Sequence, residues 1–108
     1  MANTFKLKTK SSVGTTPQNV YVVPAGTTTT IIGVALANVL GTGVNVTIGI
    51  TRPVGDNVKL LKMAPLPQGS TLEFMQGNKI VLETTDTITA KSDVANSLDV
   101  ALTIMEIT

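Results

Sequence analysis

The fold of this chain is restricted above all by its content of residues branched at Cβ. Thr, Val and Ile together make up 39 of its 108 residues. Side chains branched at Cβ are stiff about χ1 and pack better on a pleated sheet than on a helix. No segment of the sequence carries apolar residues at helical spacing over three turns. We therefore predict an all-β domain.

Alternation of apolar and polar residues marks the individual strands. Residues 44–51 and 98–104 alternate most regularly, and each places its apolar side chains on one face. Shorter patterns predict further strands at 5–12, 19–23, 28–38, 57–63, 71–75, 79–83 and 87–91. About nine short strands in one small chain predict an antiparallel β-sandwich of the jelly-roll type. The residues predicted to lie inside it are Val46, Ile48, Ile50, Leu60, Leu72, Ile80, Leu82, Val100, Leu102 and Ile104.

Each half of the chain contains one Pro-x-Gly turn, and the two turns have similar sequences. Residues 24–27 read Pro-Ala-Gly-Thr, and residues 67–70 read Pro-Gln-Gly-Ser. This order predicts type II turns, with positive φ at Gly26 and Gly69. The chain is long enough for one domain. We predict an N-terminal arm or edge strand at 1–12 and a single sandwich at 13–108.

The residue types that are missing exclude most catalytic chemistry. The chain has no His, no Cys and no Trp. It therefore lacks the ligands of Cys/His zinc sites and of His- or Cys-bound haem, thiol nucleophiles, and the imidazole base of Ser/His catalysis. We expect no enzymatic activity, no catalytic residue, no cofactor and no metal site.

Two acidic groups still need an interpretation. Glu83 and Asp86 could form a carboxylate pair for acid–base chemistry, but we expect Asp86 to cap a turn through backbone N–H groups. Asp93, Asn96 and Asp99 could offer oxygens to calcium, but their spacing fits no EF-hand loop. We expect these three residues to serve turns.

Charge and aromatic content restrict the partners. Eight Lys/Arg and seven Asp/Glu leave a net charge of +1, and the chain has two Phe and one Tyr. Lys6, Lys8 and Lys10 alternate, so a strand would place them on one face. They could deter wrong pairing at a sheet edge or meet an acidic protein surface. We expect no nucleic-acid partner, because the chain has too few aromatic residues for stacking. We also expect no signal peptide and no membrane or small-molecule partner.

Five segments in a fixed order resemble a known group of proteins. They are the run from Val20 to Gly33, Leu36-Ala37-Asn38, residues 64–73, residues 79–83 and Asp86-Thr87-Ile88. The order is similar to that in small virion structural proteins of tailed bacteriophages. The similarity extends from about residue 16 to the end of the chain.

This resemblance implies a β-sandwich that coats or extends a phage particle. The resemblance implies no particular position on the particle; the function we expect is a capsid decoration (cement) protein acting through protein–protein contacts. The alternatives are a neck, tail or fibre component, or a sandwich that binds carbohydrate at a host surface. The implied location is the virion after synthesis in the host cytoplasm, and the implied partners are other virion proteins, including the major capsid protein.

We also expect a homo-oligomer, because the edges of a small sandwich must be covered or guarded. Residues of the N-terminal segment and the few large side chains elsewhere are the types that anchor interfaces. The interface residues predicted on this basis are Phe5, Lys6, Leu7, Lys8, Lys10, Tyr21, Arg52, Phe74 and Met75.

Overall fold

The computed structural model of the chain describes residues 3–53, 55–73 and 79–108. Nine strands are present in these ranges. They are β1 (Asn3–Val13), β2 (Gln18–Val22), β3 (Thr28–Asn38), β4 (Val44–Thr51), β5 (Val58–Leu66), β6 (Thr71–Glu73), β7 (Ile80–Leu82), β8 (Thr87–Ser92) and β9 (Leu98–Ile107). No helix in the described ranges is long and apolar enough to cross a membrane.

The strands form two antiparallel sheets. The first sheet has the order β1-β9-β3-β6, with β7 also paired to β3, and the second has the order β2-β8-β4-β5. Because consecutive strands of the chain mostly alternate between the sheets, the connections wrap around the core as in a jelly roll. The predicted all-β jelly-roll sandwich is confirmed.

Strands β6 and β7 share one side of β3. Strand β9 pairs with β3 from Thr28 to Asn38, so the two short strands occupy the opposite side, β7 at Thr29–Ile31 and β6 at Ala35–Ala37. This margin of the first sheet is therefore built from two short pieces of strand.

The core lies between the sheets, where the alternation predicted it. Seven of the ten residues predicted to be inside are at most 6% exposed, and Leu60, Leu72 and Ile80 are partly buried against this core. The three partly buried residues all lie on β5, β6 and β7. Strands at a margin have a neighbour on one side only, so their inward side chains are covered less completely.

Both glycine turns have the predicted backbone. Gly26 has φ of 68° and Gly69 has φ of 64°. The N–H of Ser70 donates to the carbonyl of Pro67 at 3.3 Å, which closes the second turn. The end of the predicted strand 71–75 lies outside the described residues.

Candidate functional site

Strand β1 forms one margin of the first sheet. It pairs with β9 without interruption from Asn3 opposite Ile107 to Lys10 opposite Val100. Within residues 3–53, 55–73 and 79–108, no strand pairs with the other side of β1. We call that side the β1 edge. Of the two alternatives predicted for residues 1–12, the structure has the edge strand from residue 3 onward.

Strand β1 directs its lysine side chains inward and its apolar side chains outward, which is the reverse of the usual arrangement in a β-sandwich. Phe5 lies opposite Met105 on the outer face of the first sheet, the face directed away from the second sheet. Lys6 lies opposite Ile104, which is fully buried, and therefore points to the inner side. Phe5 is 70% exposed and Leu7 is 64% exposed. The lysine face of this strand is directed inward, and the apolar face is directed to solvent.

Two of the three inward lysines have partners at the rim of the core. Lys6 Nζ lies 2.7 Å from Glu106 Oε1. Lys8 Nζ lies 5.9 Å from the centroid of the Tyr21 ring, within cation–π range. These two contacts, together with the exposure of Lys10, explain how the lysine face of β1 can be directed toward the second sheet.

A small polar cluster connects the two sheets beneath β1. The Tyr21 hydroxyl donates to Glu106 Oε2 at 2.5 Å and lies 2.8 Å from Thr29 Oγ1. Hydrogen bonds from Lys6 and then Tyr21 hold the pKa of Glu106 below its ordinary value. Burial, reinforced by the bond to Glu106, raises the pKa of Tyr21 to about 12. We call Lys6, Tyr21, Thr29 and Glu106 the Glu106 cluster.

Tyr21 was predicted as an interface residue from its size alone. Its side chain is only 6% exposed, and its hydroxyl is occupied within the chain. Tyr21 therefore presents little surface to a partner. No local pattern distinguishes it, since the partner Glu106 is 85 positions away in the sequence.

Arg52, a second predicted interface residue, is held by two carboxylates. Its Nε lies 3.1 Å from both carboxylate oxygens of Asp86, and its Nη2 lies 2.6 Å from Glu83 Oε1. The bonds to Asp86, and then to Glu83, raise the pKa of Arg52 above its ordinary value. Asp86 also accepts the N–H of Glu83 at 2.9 Å, so it caps the turn as expected. The two carboxylates are thus engaged in a structural ion-pair network.

Asp93 and Asp99, the carboxylates of the second acidic group, also accept hydrogen bonds from the backbone. Asp93 accepts the backbone N–H of Asn45 at 2.9 Å, and Asp99 accepts the backbone N–H of Ser12 at 3.0 Å. Each carboxylate therefore joins two segments that are distant in sequence. Among the described residues, no group of three His, Cys, Asp or Glu side chains is placed to hold a metal ion.

A cleft opens between the sheets at the margin opposite β1. Its volume is about 540 Å³. It lies between β5 of the second sheet and β7 of the first, which are the outermost strands there. Its apolar lining includes Ile50, Val58, Ile80 and Leu82, and its charged lining consists of Arg52, Asp56 and Asp86.

The remaining predicted interface residues fall in two groups. Lys10 lies on β1 opposite Val100 and is exposed. Phe74 and Met75 lie outside the described residues. The structure thus brings Phe5, Leu7 and Lys10 together on one exposed strand, and it places Arg52 beside the cleft at the other margin.

Comparisons with known proteins support the fold. No protein-family model matches the chain, and no curated protein matches it. One similar solved structure comes from Bacillus endospore appendages, which form a family of disulfide-linked pili. The TM-score is 0.59 with 16% identity, over 99% of this chain and 87% of that chain. At this identity the similarity establishes a shared fold.

This comparison overturns the function predicted from the resemblance to phage proteins. The matching structure belongs to a bacterial structural appendage and not to a phage capsid decoration protein. The prediction of a virion component is therefore wrong on this finding. It depended on turn and strand motifs, which many all-β sandwiches share because the same turn geometry requires the same residues.

Proposed function

We propose that this chain is a structural subunit that assembles with copies of itself through noncovalent contacts. The observation that carries the proposal is the β1 edge with its outward apolar side chains. Phe5 and Leu7 are 70% and 64% exposed on a strand of 11 residues. A long edge strand offers unused backbone hydrogen-bonding groups, and exposed apolar side chains on it favour burial against a partner.

The fold supports the same proposal. A chain with this fold forms pili in Bacillus endospore appendages. Those pili are disulfide-linked, whereas the present 108 residues contain no cysteine. Contacts between copies of this chain would depend on strand pairing, apolar burial and charge.

The inward lysines of β1 restrict which partners can add to its edge. Charged side chains on an edge strand oppose indiscriminate pairing, because an uncharged or basic strand leaves them without compensation. Among the described residues, Lys6 is compensated by Glu106, whereas Lys8 and Lys10 make no ion pair within 4.0 Å. A partner that offers negative charge at this face would therefore be preferred.

Light scattering and negative-stain electron microscopy of the purified chain test the proposal. We expect concentration-dependent assembly of the natural sequence. A double variant with Phe5→Ser and Leu7→Ser should shift the assembly to at least tenfold higher concentration. The matched control is Val22→Ser, which changes a 48% exposed side chain on the second sheet. A natural chain that stays monomeric at its highest soluble concentration would contradict self-assembly.

A further inference from the structure

We propose that the β1 edge of one copy adds to β7 of the next copy, so that the first sheets of successive copies join head to tail. This inference rests on the proposed self-assembly and names the surface that receives β1. We call that surface the β7 edge, meaning the side of β7 away from β3. Within the described ranges no strand pairs with the β7 edge.

Strand direction is compatible with this contact. Along the path β1, β9, β3 and β7, each neighbouring pair is antiparallel. The first and fourth strands of this path therefore run in opposite directions. A second copy placed alongside in the same orientation brings its β1 antiparallel to β7, which gives a regular ladder.

Side-chain register places apolar residues together on the outer face. Phe5 lies opposite Met105, Met105 opposite Thr30, and Thr30 opposite Val81. These four residues form one row across the outer face, with Phe5 at one end and Val81 at the other. Val81 is 60% exposed.

Residues directly opposite each other in an antiparallel pair share a face. Joining the sheets edge to edge therefore sets Val81 of one copy beside Phe5 or Leu7 of the next. The contact covers three of the most exposed apolar side chains in the described part of the chain.

The inner side of the same contact is complementary in charge. The inward lysines of β1 would point toward the cleft beside β7, whose charged lining is Arg52, Asp56 and Asp86. Glu83 joins this group through its bond to Arg52. The cleft lining itself has one positive and two negative side chains, and Glu83, which lines the adjoining pocket, brings the formal charge of this neighbourhood to −2. Opposite charges across an interface favour the correct partner and register.

Pairing of two β1 edges with each other is disfavoured by the same lysines. A two-fold axis through the sheet would keep both lysine faces on the same side, with like charges directly opposite, which is destabilising. A contact between two different edges is heterologous, so it repeats from copy to copy into a ring or a filament.

Disulfide cross-linking tests the contact directly, because any introduced thiol is the only one in the chain. Single variants Phe5→Cys, Leu7→Cys and Val81→Cys are prepared with different affinity tags and mixed in pairs under mild oxidation. Val22→Cys on the second sheet serves as the control partner. Directly opposed Cβ atoms in a sheet lie about 4.5–5.5 Å apart, close to the separation of about 3.5–4.5 Å that disulfides need.

We expect cross-linked heterodimers from Val81→Cys mixed with Phe5→Cys or with Leu7→Cys, at least tenfold above any mixture with Val22→Cys. Preferential Leu7→Cys homodimers, or yields no higher than the control, would overturn the inference. Light scattering of the natural chain tests the proposed self-assembly independently of the β1–β7 contact. Assembly without the expected cross-link removes only the β1–β7 contact, whereas a chain that never assembles removes the proposed function and this contact together.

Discussion

Lys6 on β1 and Glu106 on β9 form an ion pair at the rim of the core, with Nζ 2.7 Å from Oε1, although Glu106 is only 6% exposed. A buried carboxylate requires compensation by charge and hydrogen bonds, and Lys6 and Tyr21 supply both. Strand β1 is therefore held by a charged contact as well as by its backbone ladder. This arrangement leaves Phe5 and Leu7 on the outside.

Stability should depend on pH through the Glu106 cluster. The pKa of Glu106 is lowered from 4.5, so its contribution is present above pH 4.5 and is lost as the pH falls through the folded-state pKa. The pKa of Tyr21 is raised from 10.0 to about 12, so its contribution is complete below pH 10 and is lost as the pH rises through 12. We expect the Tm, followed by circular dichroism, to fall at both extremes. In Glu106→Gln the acid limb should be shallower; an unchanged acid limb would contradict the assignment.

Removal of the Tyr21 hydroxyl should destabilise the fold. Tyr21→Phe leaves Thr29 and Glu106 each without one hydrogen-bond partner in a buried place. The expected cost is about 1–3 kcal/mol of unfolding free energy, measured by urea denaturation. Val22→Ala, at the neighbouring exposed position, should change stability by less than about 0.5 kcal/mol. Equal effects of the two changes would show that the cluster contributes nothing specific.

Truncation of core residues should be costly at the positions where the alternation placed them inside. Ile48 is 1% exposed and Leu102 is 0% exposed. Ile48→Ala and Leu102→Ala should each lower the unfolding free energy by about 2–5 kcal/mol, because each leaves a cavity. Val39→Ala, at a residue that is 53% exposed, is the control and should have little effect. An unchanged melting temperature in Ile48→Asp would refute the assignment of Ile48 to the inner face of its strand.

The two turn glycines should resist substitution for a backbone reason alone. A Cβ added at Gly26 or Gly69 would meet no atom within 4 Å, but both residues have positive φ. Gly26→Val and Gly69→Val should each cost about 1–2 kcal/mol, the strain of a branched residue in the left-handed region. Gly41 also has open space around its Cβ position and has no left-handed φ, so Gly41→Val is the matched control. Thermal melts of the three variants separate strain from crowding; a Gly41→Val variant as unstable as the others would argue against strain.

The local features of this fold were predictable from the sequence. Alternation in residues 44–51 identified a strand and its buried face, and the order Pro-x-Gly identified the positive φ of Gly26 and Gly69. These features depend on neighbours within a few positions, since side-chain parity and turn geometry are local properties. Strand β5 ran further than predicted, through Pro65, because a strand at a sheet margin tolerates proline.

The candidate site required the tertiary structure. Alternation showed that Phe5 and Lys6 lie on opposite faces of a strand, but it did not show which face is directed inward. That choice depends on Glu106, which lies 100 positions from Lys6 in the sequence yet 2.7 Å from it in the fold. The burial of Tyr21 likewise depends on a partner 85 positions away. The strands, their turns and the parity of their side chains could be predicted from the order of the residues, because they follow from local geometry. The face of β1 that is presented to other molecules could not, because its orientation is set by polar partners that the sheet topology brings together from distant positions.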